Sequence, residues 1–264
     1  MNNTGIDWTE LTWNPVTGCT KVSSGCKNCY AEPLAKRLKA MGNPRHQAGF
    51  DTVVCHRDKV DEPRKIRGSK LVFVNSMSDM LHRDVPTDFI VACVRSMAAT
   101  RHRFQVLSKR ARRWPAVSYE VDMDIGEWPA NVWPGVSIED RRHMNRLDGL
   151  ADVGDSSTIR MASFEPLLED LGRPAEIAKR LMAARIGWVI TGGESGFNAR
   201  PAELDWFRHI RDACHLAGVP FFHKQHGGRG VTHAAKRRGK HAILDGVLIQ
   251  EYPRKSEAGQ PSLF

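Results

Sequence analysis

No run of apolar residues in this 264-residue chain approaches the roughly 18–20 needed to cross a bilayer. A soluble protein is the expectation. The opening Met1-Asn2-Asn3-Thr4 carries no basic-then-apolar leader, so a reducing cytoplasm is the expected home and structural disulfides are disfavoured. Cysteine is scarce at six residues, and acids are outnumbered by bases, 30 to 39. That deficit leaves a formal charge of +9 and a pI near 9.4, a balance that draws anionic partners from a distance, nucleic acid the commonest. Many soluble proteins are basic with no such partner.

What cysteine there is gathers in one place. Cys19, Cys26 and Cys29 form a C-x6-C-x2-C array in the glycine-punctuated stretch Gly18 to Ala31. Thiolates in such an array select zinc, Cu(I) or an iron–sulfur cluster over harder metals. A structural zinc takes four protein ligands and a four-cysteine cluster four thiolates, and a fourth cysteine is missing nearby. An open coordination position is therefore expected. The rival readings are disulfides and a zinc site completed by a distant ligand, with His82, His223 and His226 as candidates. Cys55, Cys93 and Cys214 lie apart and read as buried small hydrophobes.

Strand and helix alternate around that loop. Trp8 to Asn14 reads as a first strand ending at the cysteines, Tyr30 to Met41 as a helix stopped by Gly42-Asn43-Pro44, and residues 43–69 as an excursion with an extended piece near Val53-Val54-Cys55. Further strands are expected at Leu71–Val74, Phe104–Leu107, Val132–Val136, Thr158–Ala162, Ile186–Thr191 and Val219–Phe222. Helices are expected over Pro86–Thr100, Arg141–Leu150 and Leu204–Ala217. Such alternation predicts an α/β fold with a parallel sheet. Polar residues follow almost every strand, which favours a complete or partial (β/α) TIM-type barrel, where all strand ends meet at one mouth, over an open doubly wound sheet. The expected organisation is one barrel domain over residues 1–228 and a basic extension over 229–264.

The strand-end residues carry the candidate chemistry. Ser76 and Asp79 are read as binding polar cofactor groups or capping the next helix, Ser137 as a further cofactor-binding candidate, and Glu139 and Glu165 as meeting a hydroxyl or amine or pairing with Lys109, Arg110 or Lys224. Gly192-Gly193-Glu194-Ser195 is either a ligand-approaching turn or a tight strand-to-helix turn. Lys109-Arg110, at the head of the cluster ending on Trp114, and Lys224-Gln225 are the candidate substrate contacts. Further basic clusters stand at Arg64-Lys65-Ile66-Arg67 and Lys236 to Lys240. Trp8, Trp13, Trp114, Trp128 and Trp133 read as core before platform.

Taken together, Trp13-Asn14-Pro15, Gly25-Cys26-Lys27-Asn28-Cys29-Tyr30-Ala31, Asn75 to Asp79, Lys109-Arg110, Gly135-Val136-Ser137, Phe164-Glu165-Pro166, Gly192 to Gly196 and Lys224-Gln225 resemble the three-cysteine-motif protein family of bacteriophages and bacteria. That family, of unknown function, is related to the radical S-adenosylmethionine (SAM) superfamily. The resemblance implies a [4Fe–4S] cluster held by Cys19, Cys26 and Cys29, with SAM on its open iron and the strand-end residues around it. It also implies an electron donor, a phage or bacterial partner protein, and an enzyme that cleaves SAM reductively to modify or repair a nucleic acid or nucleotide. The alternatives are a zinc-stabilised nucleic-acid-binding protein and a metal-dependent barrel hydrolase or nuclease using Asp79, Glu139 or Glu165.

Overall fold

Short apolar runs separated by amphipathic stretches leave little choice but a sheet covered by helices. The computed structural model describes residues 1–229 and 242–253. The first strands are β1 (Asn2–Asn3), β2 (Leu11–Trp13), β3 (Val16–Thr17), β4 (Val54–Cys55), β5 (Leu71–Val74), β6 (Arg103–Ser108) and β7 (Val132–Ser137). After them come β8 (Arg160–Phe164), β9 (Ile186–Gly192), β10 (Ser195–Gly196), β11 (Phe221–Gln225), β12 (Gly228–Arg229), β13 (Ile243–Leu244) and β14 (Val247–Leu248). The α-helices are α1 (Ala31–Ala40), α2 (Thr87–Ala98), α3 (Trp114–Ile125), α4 (Pro174–Ala183) and α5 (Leu204–Ala217).

The main sheet has the order β1-β2-β5-β6-β7-β8-β9-β11, and every pairing is parallel except that of β1 with β2. Each parallel strand lies beside its predecessor, without the reversal of order that makes a switch point in a doubly wound sheet. All the carboxyl ends therefore open on one side. Among the described residues no pairing joins β11 to β1 or β2, so the α/β architecture is established and closure of a barrel is not.

Alternation along the strands sorts the core into two faces. Val72, Val74, Phe104, Val106, Val136, Ala162 and Val189 pack with helix residues such as Phe89, Ile90, Val117 and Phe207. The other face gathers Trp8, Phe73, Trp133, Met161, Trp188, Ile190 and Phe222. Trp188 stands edge-on to Trp8, Trp133 and Phe222 with ring centroids 6.0–6.3 Å apart, the T-shaped arrangement that aromatic quadrupoles favour. Trp13, Trp114 and Trp128 are buried as well, their indole N–H groups donating to the carbonyls of Lys59, Gly135 and Val132. The named tryptophans are core.

Several local expectations need correction. The segment Arg141–Leu150 is a 3-10 helix, with Arg146 buried rather than facing solvent. The fifth parallel strand lies at Arg160–Phe164, two residues later than its apolar run indicates, and α3 and α4 join the helices expected from spacing. No helix among the described residues is long and apolar enough to cross a membrane. The basic run Lys236 to Lys240 lies outside the described residues. Residues on its far side return to the sheet, where the Ile249 carbonyl accepts from the His223 amide at 2.8 Å and the Phe221 carbonyl from the Glu251 amide at 3.1 Å.

A chain of imidazoles joins this return to the sheet. Thr191 Oγ1 lies 3.0 Å from His223 Nδ1, His223 Nε2 lies 3.0 Å from His226 Nδ1, and His226 Nε2 lies 2.7 Å from the Ile243 carbonyl. A carbonyl only accepts, so His226 donates to it and receives from His223, which in turn receives from the Thr191 hydroxyl. The His223 ring, accepting at Nδ1 and donating at Nε2, is neutral in this arrangement. Burial, with the neighbouring His226, pushes the His223 pKa down from 6.5 to about 3. A histidine with a depressed folded pKa contributes stability that is complete above its unfolded value and lost as pH falls toward the folded one. Unfolding free energy should thus drop between pH 6.5 and 3, and His223→Gln should remove about 1.4 kcal/mol per pH unit of that slope, read by denaturant titrations across the interval.

Candidate functional site

The carboxyl ends of the strands surround a cavity of about 770 Å³, within the range of small-ligand sites. The link after β5 sets one wall. Asn75 follows the apolar strand directly, takes a left-handed φ of 58°, and is held by its amide donating to the Trp13 carbonyl at 2.8 Å. Such a backbone is uncommon outside glycine and is best tolerated by Asn. Asn75 is 3% exposed and lines the cavity, yet neither atom of its side-chain amide has a hydrogen-bond partner among the described residues. Ser76 and Ser78 hold the rest of the link against the loop after β2, donating to Asn14 Oδ1 and the Val16 carbonyl.

Asp79 joins this wall to the next strand. It accepts from Ser108 Oγ at 2.7 Å and from Arg110 Nη1 at 2.8 Å, and Arg110 continues to the carbonyl and hydroxyl of Thr20 in the cysteine loop. Arg110 is a clamp between β6 and that loop. Lys109, its neighbour on the cavity lining, gives only its backbone amide to Asp79, and its ammonium has no partner among the described residues.

The opposite wall is built from glycines and acids. A Cβ on Gly192 would lie 2.5 Å from Glu165 Oε1, and one on Gly193 only 1.9 Å from the His226 carbonyl oxygen. The two glycines are required by packing between β9 and its neighbours. Glu165 pairs with Lys224 at 2.7 Å, and Gln225 donates to the Gly193 carbonyl while its Oε1 stays unpartnered. Glu194 is pinned by Arg200 at 2.6 Å and by the Asn28 amide at 2.8 Å, and Arg200 also reaches the Ser24 carbonyl. Burial pushes the Glu194 carboxyl up, but these hydrogen bonds outweigh it and hold the carboxyl below its ordinary range. Ser195 belongs to β10, which pairs with β12. Ser137 lines the cavity, whereas Glu139 is fully buried against Arg146 at 2.5 Å and stands behind the wall. Arg200, Asn28 and Arg146 carry no sequence signal for these roles, since their partners lie far along the chain or behind the wall. Asn75 carries a weak one, as an Asn closing an apolar strand run.

The three cysteines reach the cavity but not the metal site expected of them. Cys19 turns its thiol toward the Thr20 carbonyl and Arg110, Cys26 lies 3.8 Å from Ser23 Oγ, and Cys29 packs beside Ala31, Ala35, Phe50 and Met77. Burial pushes the Cys19 thiol up, with Asp79 adding to the effect against Arg110, which favours thiol over thiolate. Among the described residues no group of three or more His, Cys, Asp or Glu side chains is arranged to hold a metal ion. His82 is buried against Thr20, and His223 and His226 belong to the imidazole chain. The iron–sulfur cluster with its SAM, the zinc alternative and the metal-dependent hydrolase using Asp79, Glu139 or Glu165 are all overturned by this arrangement. With them goes the radical SAM-type enzyme.

The fold has a distant likeness among solved structures. A cysteine-to-serine mutant of spore photoproduct lyase superposes with a TM-score of 0.51 at 15% identity, over 81% of this chain and 63% of that one. A second mutant of the same enzyme, with bound AdoMet and a dinucleoside spore photoproduct, gives 0.48 at 13% identity over 76% and 60%. This chain thus spans less than two thirds of those structures, and at such identity the likeness is one of fold, an α/β architecture like the radical SAM core. No curated protein matches the chain. The chain belongs to the family described as "Protein of unknown function (DUF5131)", whose model matches residues 3–253. The three-cysteine, metal-holding reading of the motifs is corrected accordingly, because the likeness extends to the fold while the ligand group is not assembled.

Packing at the glycine pair gives a direct check. Gly193→Ala should lower unfolding free energy by about 2 kcal/mol or more, because backbone blocks the new methyl group. Gly187→Ala, whose Cβ would meet Ile159 at an ordinary 3.5 Å, should be neutral or gain up to about 1 kcal/mol, both read from chemical denaturation.

Proposed function

We propose that the protein binds nucleic acid and takes one nucleotide into the cavity at the strand ends. The observation that carries this reading is Asn75, a residue of the cavity lining whose side-chain amide is buried with its donor and its acceptor both unpartnered among the described residues. Leaving such a group unmet costs about 1–3 kcal/mol, and the paired edge of a base is the complementary surface. Gln225 Oε1 adds a second unmet acceptor, and the unpaired Lys109 ammonium supplies a partner for phosphate. Ser76, Ser137 and Ser195 are further polar groups on the lining. Lys224 and Arg110, each paired with an acid, hold the walls in position.

The net charge of +9 points the same way, since phosphate neutralisation dominates nucleic-acid affinity. The body then holds the site on a partly closed barrel, with residues 242–253 packed back on its sheet, the basic run Lys236 to Lys240 adds positive charge to the chain, and the setting is cytoplasmic.

Oligonucleotide affinity should fall steeply with salt, and Lys109→Ala should reduce the slope of log K against log salt by about one. Asn75→Gly, which keeps the left-handed backbone, should weaken binding roughly tenfold with little change in stability. Fluorescence anisotropy at several salt concentrations reads all three. Absent or salt-insensitive binding by the wild-type chain would overturn the proposal.

A further inference from the structure

Two aromatic rings are exposed near the cavity, one on its lining and one in a turn that directly follows lining residues. Tyr30 is 59% exposed, lines the cavity, and is pinned by its hydroxyl donating to the Ser76 carbonyl at 2.5 Å. Phe197 is 90% exposed, in the turn after β10. That turn is docked on the cysteine loop, because the Asn198 carbonyl accepts from the Asn28 amide at 2.8 Å and Arg200 reaches the Ser24 carbonyl at 3.0 Å. The turn that carries Phe197 is thus fixed beside the loop that carries Tyr30 to the cavity. Lys27, in that loop, and Arg112, two residues past Arg110, are exposed and have no partner among the described residues.

Aromatic faces beside unpaired cations make up the platform on which unpaired bases stack while their phosphates are neutralised. A duplex meets neither demand of this site. Its base edges are engaged in pairs and its base faces in stacks, whereas a residue as buried as Asn75, 3% exposed, is met by a base that leaves its stack and enters the cavity.

We infer that the ligand is single-stranded nucleic acid, with one base in the cavity and its neighbours stacked on Tyr30 and Phe197. This rests on the nucleic-acid reading and narrows it. The rings set the path of the strand, and Lys109 on the cavity lining and Lys27 in the cysteine loop meet its backbone.

The test compares labelled single-stranded DNA, single-stranded RNA and duplex DNA of one length and mixed sequence, at two salt concentrations, against wild type, Phe197→Ala, Phe197→Trp, Tyr30→Ala and Tyr30→Phe. The wild type should bind at least one single strand roughly tenfold tighter than duplex. Each alanine variant should lose roughly five- to a hundredfold, while Phe197→Trp and Tyr30→Phe retain most of the affinity. Phe197 is too exposed for its removal to unfold the chain, so the result on that variant stands even if Tyr30→Ala is unstable. Duplex binding as tight as single-strand binding, or full affinity in Phe197→Ala, would overturn the single-strand assignment and leave nucleic-acid binding standing. No salt-sensitive binding to any of the three would overturn both.

Discussion

Asp79 is the point on which the site depends. One buried carboxylate accepts from the Ser108 hydroxyl, the Arg110 guanidinium and the amides of Leu81 and Lys109. Through Arg110 it also reaches the loop after β3, so three segments distant in sequence meet at one side chain. Removing one partner from a buried pair of this kind costs about 3–5 kcal/mol, because the charge left behind has neither water nor counterion. The same pairing uses up the Arg110 donors and leaves Lys109 as the cation free to meet a ligand. Structure and recognition are thus divided between two adjacent residues.

The opposite wall follows a similar division. Glu165 and Glu194 are each engaged by a cation, and the glycines between them exist because neighbouring atoms leave no room for a side chain. What remains open to a ligand is the set of groups that no protein partner claims. These are the Asn75 amide and Gln225 Oε1. A cavity whose charged groups are mostly paired and whose amides are unmet discriminates by hydrogen-bond pattern more than by charge.

Much of this was legible in the sequence, for physical reasons. Leu71–Val74 is a continuous apolar run because both its faces are covered, and Leu204–Ala217 has its apolar residues on one helical stripe, so both elements can be read directly. Helix α3 could not be read that way. Its buried residues Trp114, Val117 and Val121 share the helix with exposed Tyr119 and Met123, which blur the stripe. Arg141–Leu150 has helical spacing, but Gly149 lies where a Cβ would be 2.5 Å from the Ala111 carbonyl oxygen, and Arg146 turns inward to Glu139. The strand-end residues were visible as a group because polar residues there interrupt apolar runs. Their roles were not, since a thiol, a guanidinium or a carboxylate takes its partner from segments that spacing along the chain does not reveal. The cysteines are the plainest case, as C-x6-C-x2-C fixes proximity of backbone and leaves the direction of each Sγ to Arg110, Ser23 and Met77.

The sequential strand order also has a kinetic side. From β5 to β11 each new parallel strand begins roughly thirty residues after its neighbour, so every addition closes a loop of similar, modest entropy. Only β2 and β5 are separated by a longer excursion. From β5 to β11 the sheet can therefore grow outward from a middle nucleus, strand upon strand, with the one longer closure left to β2. The wall that carries Asn75 and the cysteine loop spans that longer gap, so it is the part of the molecule expected to lock last and to open first under native conditions.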